Sequence, residues 1–439
     1  MSLPHVVIVG AGFGGLDAAR ALEGAPVRVT VVDRHNYHLF QPLLYQVATA
    51  ALSPGDIASP IRWVLRKQRN AQVLLAEVRT IDPASRTVWV ARGGERPADV
   101  EALSYDYLIL AAGATDSYFG HDEWATRALG IKSLDQALDV RRQVLLAFEA
   151  AERAQDAAEQ RRLLTFVIVG GGPTGVELAG ALSEIARHSL RRDFRNARPE
   201  SARIVLLEGN SELLPAFPDS LRRYARRALE RLGIEVQTDS FVTDVDALGV
   251  TVRSRRQPNG APVEKIDAQT VLWAAGVVAS PLARSLGAPL DRAGRVIVEP
   301  TLAVPGQPRI FVVGDLCACS ESAREPGRYL PGVAQVAKQE GRRAARNVLR
   351  ALAGRDLRPL HYRDYGSLAT IGRGSAVASI GGAKLTGMVA WLIWIFVHIF
   401  WLIGFRNRVA VISEWAWAYV TLQRRVRLIT GEKLWPGSA

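Results

Sequence analysis

The sequence predicts an α/β fold in which one strand–turn–helix unit is used twice and a separate helical module closes the chain. Three observations predict it. An apolar, β-branched run ends in a glycine cluster at Val6 to Leu22, with Gly10, Gly12 and Gly15, and again at Phe166 to Leu182, with Gly170, Gly172 and Gly175. Each is followed by a second apolar run that ends in an acid, Val27 to Asp33 and Arg203 to Glu208. From Met388 the composition changes: Met388 to Phe405 carries no formal charge, only His398, and six of the ten tryptophans follow Gly387 (Trp391, Trp394, Trp401, Trp415, Trp417 and Trp435).

Bulk properties agree. A chain of 439 residues makes two or three domains at about 150 residues each. With 48% hydrophobic and 22% charged residues it is globular, neither disordered nor a polytopic membrane protein. The two cysteines, Cys317 and Cys319, are one residue apart and cannot staple distant segments, so the fold must stand without disulfides, as suits a reducing interior. The net charge of +12 favours anionic partners: nucleic acid, phospholipid headgroups or a phosphate-rich cofactor. Met1 to His5 run directly into an apolar strand and leave no room for a secretory leader, so the chain is expected to stay inside the cell.

The elements follow in order. After the first unit, Tyr107 to Gly113 (YLILAAG) reads as a late strand, and Thr270 to Gly276 (TVLWAAG) echoes it in the second unit. A linker near Gly113 to Gly130 precedes Leu134 to Arg162, where apolar residues at helical spacing predict one long surface helix. Arg309 to Asp315 is a buried strand with an acid at its carboxyl end. It has no echo in the other half, so it is expected to return the chain to the first domain. The expected boundaries are 1–117 and 296–362 for the first domain, 118–295 for the second and 363–439 for the C-terminal module.

A pyrophosphate must approach backbone N–H groups closely, which glycines permit, and the following helix N-terminus supplies partial positive charge. Both clusters sit between a strand and a helix, which raises them above chance tight turns. Asp33 and Glu208 are placed to accept from ribose hydroxyls, or are ordinary strand-end acids. Glu208 would repel a 2′-phosphate, and no arginine follows it in Gly209-Asn210, which favours NADH over NADPH. Two dinucleotide units imply a retained flavin and an exchanging nicotinamide, with hydride passing from the second to the first.

The chain resembles the type II (non-proton-pumping) NADH:quinone dehydrogenases of the two-dinucleotide flavoprotein superfamily. The resemblance rests on Phe40-Gln41-Pro42-Leu43-Leu44-Tyr45 with the residues to Arg62, on Gly170 to Gly180 (GGGPTGVELAG), Gly314-Asp315 and Ala334 to Gly341 (AQVAKQEG), and on Leu402 to Arg408 (LIGFRNR). It implies two Rossmann-like domains. The first would bind FAD through Gly10, Gly12, Gly15, Asp33, Val78, Gly113, Asp315, Val333, Ala334 and Gln335, and the second NADH through Gly170, Gly172, Gly175, Glu208 and Gly276. By the same resemblance Gln335 and Gln339, four apart on one helix face beginning near Pro331-Gly332, line the quinone route; without it they would read as a solvated face. Glu177 is either a proton relay to reduced quinone or a first-turn acid complementing the helix dipole. Some members carry a lysine where this chain has Tyr365, so this chain departs from them by lacking that cation. The cysteine pattern of a disulfide or sulfide:quinone reductase is absent, no metal centre is called for, and Cys317 and Cys319 read as small packing residues.

The C-terminal module is expected to be amphipathic and helical. Eighteen residues from Met388 would reach roughly 27 Å as a helix, so a transmembrane span is one alternative. Gly404 and His398 argue against it, and Trp415, Tyr419, Leu422, Val426 and Ile429 form a second stripe at helical spacing. With Arg406, Arg408, Arg424, Arg425 and Arg427 flanking it, a monotopic anchor on the phospholipid surface of the cytoplasmic face is expected. A homodimer contact is the other use that surface allows, and no nucleic-acid motif accompanies the dispersed cations. The expected function is NADH oxidation through FAD with reduction of a membrane quinone, without proton pumping. The alternative is a soluble flavoprotein reductase of a ferredoxin-like carrier.

Overall fold

The computed structural model describes residues 3–91, 100–256, 263–320, 327–421, 423–424 and 426–430. The chain divides into two compact units. One comprises Met1–Leu39, Ala58–Thr115 and Val277–Asp364, and the other Phe40–Ile57, Asp116–Gly276 and Tyr365–Ala439.

The first unit is built on a six-stranded sheet in the order Ala303–Val304, Gln307–Val312, Tyr107–Leu110, His5–Val9, Arg28–Asp33, Ala71–Leu75. The four strands from Gln307–Val312 to Arg28–Asp33 run parallel, paired for example as Phe311 with Ile109, Ile8 with Ile109 and Ile8 with Val31. Continuous apolar runs are what parallel strands covered on both faces require, and Val6, Val7, Ile8, Leu108 and Ile109 are all fully buried. The returning strand pairs where the sequence predicts. The Phe13–Ala21 helix lies against the Ala334–Leu352 helix at a glycine contact, since a Cβ on Gly341 would fall 2.0 Å from the Gly14 carbonyl oxygen.

The second unit repeats the plan with a parallel sheet ordered Ala128–Gly130, Thr270–Trp273, Thr165–Val169, Arg203–Leu207, Ile234–Gln237. Thr165–Val169 pairs with Thr270–Trp273 as His5–Val9 pairs with Tyr107–Leu110, so the echoed strands occupy equivalent places. The long helix expected over Leu134 to Arg162 is instead two, Leu134–Arg153 and Ala157–Leu163. The break is local: Asp156 accepts the Glu159 N–H at 2.8 Å and starts a new helix, as an N-cap aspartate does. Leu134–Arg153 also buries a full face, including Val140, Val144 and Phe148, and is not a surface helix.

The second unit also holds the C-terminal module, a three-stranded antiparallel sheet (Ser367–Gly372, Ser375–Ile380, Ala383–Thr386) followed by helices Gly387–Trp401 and Phe405–Thr421. The apolar run does not continue as one helix. It turns at Leu402 to Gly404, where Gly404 adopts φ +91°. Fifteen residues reach roughly 22 Å, short of the ~30 Å hydrocarbon core, and among the described residues no helix is long and apolar enough to cross a membrane. The predicted stripe is cut as well: the second helix ends at Thr421, Val426 and Ile429 follow outside any helix or strand, and Leu422, Arg425 and Trp435 lie outside the described residues.

Candidate functional site

Each glycine cluster is shaped twice by the protein and once by something else. A Cβ on Gly10 or Gly170, both at positive φ (+94° and +111°), would strike the backbone of Ala111 or Ala274 at 2.3 and 2.7 Å. On Gly15 or Gly175 it would lie 1.8 Å from the Gly10 or Gly170 carbonyl oxygen. At Gly12 and Gly172 nothing lies within 4 Å, so no protein neighbour requires glycine there. That opening, at the N-terminus of each helix, fits a pyrophosphate.

The strand-end acids face these turns in the same way. Asp33 accepts from the Ala11 N–H at 2.6 Å and the His35 N–H at 2.7 Å. Glu208 accepts from the Gly171 N–H at 2.6 Å and the Asn210 N–H at 2.7 Å, with the Asn210 amide at 2.6 Å. Each acid therefore pins the residue after the first glycine of its turn and holds its carboxylate at the cradle. Burial raises the Asp33 pKa against those N–H bonds. His38 accompanies the first turn: one ring nitrogen bonds the Ala11 carbonyl at 2.8 Å and the other is buried with no hydrogen-bond partner among the described residues.

The remaining expected FAD contacts in the first unit also have defined places. Val78 lies in the Glu77–Asp82 strand. Gly113 takes φ +69° with open space at its Cβ position, and its carbonyl accepts from the Ser280 N–H. Asp315 sits in the turn after Gln307–Val312, where a Cβ on Gly332 would come within 3.1 Å of its carboxylate. The predicted helix starts at Ala334 rather than near Pro331, because Val333 is still extended (φ −131°, ψ 153°) and caps it. Gln335 reaches Asp364 at 3.4 Å. Gln339 is more firmly held: its amide donates to the Arg363 carbonyl at 2.9 Å while its oxygen accepts the Arg363 N–H at 3.0 Å. In the second unit Gly276 adopts φ +72° under the Phe119 ring, which a Cβ would meet at 2.6 Å.

Glu177 is buried in the first turns of the Pro173–Glu184 helix. Gly180 of that helix packs against the Ser367–Gly372 strand so closely that a Cβ would fall 1.8 Å from the Ile371 oxygen. The contact delivers the Thr370 N–H to the Glu177 carboxyl at 3.3 Å. Burial pushes the carboxyl up to about 8, eased by that N–H and by the Trp394 indole beside it. Around it stand residues that spacing alone does not reveal. Trp415 donates to the Gln46 oxygen at 2.7 Å, Gln46 donates to the Tyr45 hydroxyl at 2.9 Å, and burial and the Glu177 charge push Tyr45 above its ordinary value. A second missed acid is Glu340, fully buried in the first unit, which accepts the Gly314 N–H at 2.6 Å beside the Cys317 thiol and is also pushed up to about 8 by burial. Both cysteines are buried and free, with thiols raised by burial, which suits packing.

Three of the five arginines expected to flank the apolar stripe are engaged within the protein, and Arg425 lies outside the described residues. Arg424 is buried, donating to the Thr49 carbonyl at 2.6 Å and pairing with Glu184 at 3.0 Å, and Arg427 pairs with Asp193. Arg408 caps the preceding helix through the Leu402 and Phe400 carbonyls at 2.8 and 2.7 Å. A charge near a frayed helix end is worth more on a buried acid or an orphan carbonyl than in water.

Residues 4–341 match the pyridine nucleotide-disulphide oxidoreductase family, and residues 365–425 match the NDH2 C-terminal domain. The type II NADH:quinone oxidoreductase NdhA of Mycobacterium tuberculosis is 45% identical, over 98% of this chain and 90% of that protein. The chain belongs to the type II NADH:quinone oxidoreductases. A second enzyme of that name from the same organism, Ndh, is 44% identical over 98% of this chain and 91% of its own. The structure of NDH2 from Plasmodium falciparum in complex with NADH superposes with a TM-score of 0.87 at 21% identity, covering 98% and 100% of the two chains, and shares the fold. Membership makes this chain a flavin-dependent oxidoreductase of the NADH:quinone class. The soluble reductase of a ferredoxin-like carrier is not favoured by these relatives.

Proposed function

We propose that this chain oxidises NADH and delivers the electrons to a quinone at the membrane surface, and that the residues named above carry the reaction. The observation that carries the reading is the pair of matching cradles, each open at its middle glycine. Gly10, Gly12, Gly15, Asp33, Val78, Gly113, Asp315, Val333, Ala334 and Gln335 would hold FAD; Gly170, Gly172, Gly175, Glu208 and Gly276 would hold NADH. The same division keeps 1–117 and 296–362 as the FAD domain, 118–295 as the NADH domain and 363–439 as the membrane module.

Bound FAD supplies the two-electron link between nicotinamide and quinone. The residues do the rest. Glu208 meets the ribose hydroxyls of NADH and repels a 2′-phosphate. NADH brings two electrons and one proton, and a quinol requires two protons. Glu177, held as the acid by burial at neutral pH, donates the second and is reprotonated from solvent. Gln335 and Gln339 border the quinone route, Gln339 by fixing the chain at Arg363.

Attachment to the membrane is supported by the apolar side chains that the two C-terminal helices leave in water: Phe396 (70% exposed), Phe400, Phe405 (82%), Val409, Ile412 and Val420 (80%). A peripheral position on the cytoplasmic face follows from this reading, and a homodimer contact would compete for the same surface. The test is direct: the purified chain should carry a flavin spectrum that NADH bleaches and a quinone restores. A flavin that NADH bleaches but only a ferredoxin-like protein restores would refute the quinone assignment.

A further inference from the structure

The Asp219–Arg231 helix carries five arginines, and its two faces treat them differently. Arg222 pairs with Glu212 at 2.8 Å and with Asp219, and Arg226 pairs with Glu230 at 3.0 Å. The helix's own acids are thereby occupied. Arg223 and Arg227 make no ion pair or hydrogen bond among the described residues, and Arg231 only lies over the Tyr224 ring at 5.9 Å from its centre. These three are exposed and spaced four apart, so they form a ladder on one face with rungs about 6 Å apart. They line an open cleft of about 390 Å³ together with Ser220, Tyr224 and Thr386. The cleft therefore holds three unpaired cations and three hydroxyls, and no acid.

Its position matters as much as its charge. Thr386 is the residue before the Gly387–Trp401 helix. The Tyr224 hydroxyl lies within 3.5 Å of where a Cβ on Gly387 would stand, and it bonds the Ser375 hydroxyl at 3.2 Å. At the foot of that helix Met388, Val389 and Leu392 are about half exposed (46%, 58% and 55%). A cation cluster beside the root of an exposed apolar helix is the pairing an interfacial anchor presents to anionic lipid. Of the tail's described arginines, Arg408, Arg424 and Arg427 are engaged within the protein, and Arg406 is left exposed.

We propose that Arg223, Arg227 and Arg231, with Ser220, Tyr224 and Thr386, form a binding site for the phosphate of an anionic phospholipid headgroup. This inference rests on the membrane reading above. Guanidinium groups suit the role because they bind phosphate oxygens in pairs. Anionic lipid would then set the depth of the apolar helix at the surface, in addition to the hydrophobic attachment.

The test uses the full chain, sedimented with phosphatidylcholine vesicles with and without phosphatidylglycerol. Intact protein should bind the anionic vesicles more tightly, and Arg223→Gln/Arg227→Gln/Arg231→Gln should abolish that preference, at about fivefold in affinity per arginine. Binding to phosphatidylcholine and NADH oxidation with a water-soluble acceptor should be unchanged, which also reports that the variant is folded. Lysine at all three positions should restore most of the preference, with a steeper loss in salt. A variant that keeps the full preference overturns the site. So does inorganic phosphate that stabilises the intact protein against heat, and not the variant, while vesicle binding is unaffected, since the site would then serve a soluble anion. If the intact chain binds neither vesicle, it is the membrane reading that fails, and this inference with it.

Discussion

Asp17 and Glu177 occupy the same place in two copies of one motif, each two residues past the last glycine of its cradle, and they have opposite surroundings. Asp17 receives Arg342 at 2.8 Å and Lys338 at 3.7 Å from the Ala334–Leu352 helix, so its charge is matched where it is buried. Glu177 receives one backbone N–H, has the Trp394 indole beside it and no cation among the described residues, and is pushed up to about 8. The difference comes from what each helix packs against. The first meets a helix bearing Lys338 and Arg342 in its contact face; the second meets the apolar Ser367–Gly372 strand of the C-terminal module. A repeated motif therefore fixes where an acid sits, and the element folded over it decides whether that acid is matched by cations or is a buried carboxyl held towards its neutral form.

The largest effects should come from the glycines that both copies share. Gly15→Ala and Gly175→Ala each place a methyl on a carbonyl oxygen, and a cost of about 3 kcal/mol, the upper end for overpacking, is expected in thermal or denaturant unfolding. Gly12→Ala and Gly172→Ala meet no protein atom. They should melt like the parent in the absence of cofactor but lose flavin retention and NADH affinity respectively. Equal stability losses at all four positions would mean that the middle glycines serve the fold, not a ligand.

Asp17→Asn should come next, costing about 2 kcal/mol, because it leaves the buried end of Lys338 and the Arg342 contact unmatched. Glu177→Gln should cost little and change the pH dependence instead. In the native protein Glu177 keeps its proton up to about pH 8, whereas in the unfolded chain it loses it near 4.5. The stability tied to that proton is complete below the lower value and is lost as pH rises towards the upper one. The glutamine variant should therefore show a flatter decline between these limits and be the more stable form above them. Unfolding curves collected across that range would break the comparison if the two variants swapped behaviour.

Glu208→Arg should have the smallest effect, a shift of about tenfold, or ~1.4 kcal/mol, in preference from NADH towards NADPH. Part of the NADH loss will reflect the Gly171 and Asn210 bonds that Glu208 makes. Glu208→Gln, which keeps an acceptor for those bonds without the charge, separates the two. Steady-state kinetics with both nucleotides provide the measurement; an unchanged preference would remove Glu208 from the ribose.

Much of this was legible in the sequence because parallel sheets and glycine turns are local signals. The doubled cradle, the strand-end acids and the returning strand at Gln307–Val312 all follow from short runs of residue type. What was not legible depends on distant partners. Arg424 and Arg427 read as headgroup contacts because their spacing is visible, while Glu184 and Asp193 lie more than two hundred residues away in sequence. Gln46 and Glu340 carry no signature of their own, since a buried polar residue is recognised only once its cover is known, and Trp415 reads in the sequence only as part of an apolar stripe. The turn at Leu402 to Gly404 is the intermediate case: Gly404 was noticeable, but a single glycine does not say whether a helix bends or ends.

The central claim is that Glu177 is held as an acid so that it can protonate the reduced quinone, and rapid-mixing kinetics of Glu177→Gln test it most directly. The variant's flavin should be bleached by NADH at the parent rate and reoxidised by quinone about a hundredfold more slowly, as expected when a general acid is removed. The parent's reoxidation should fall as pH rises through about 8, and the variant should lack that inflection. Reoxidation at the parent rate, or slowing confined to the NADH half-reaction, would contradict the claim.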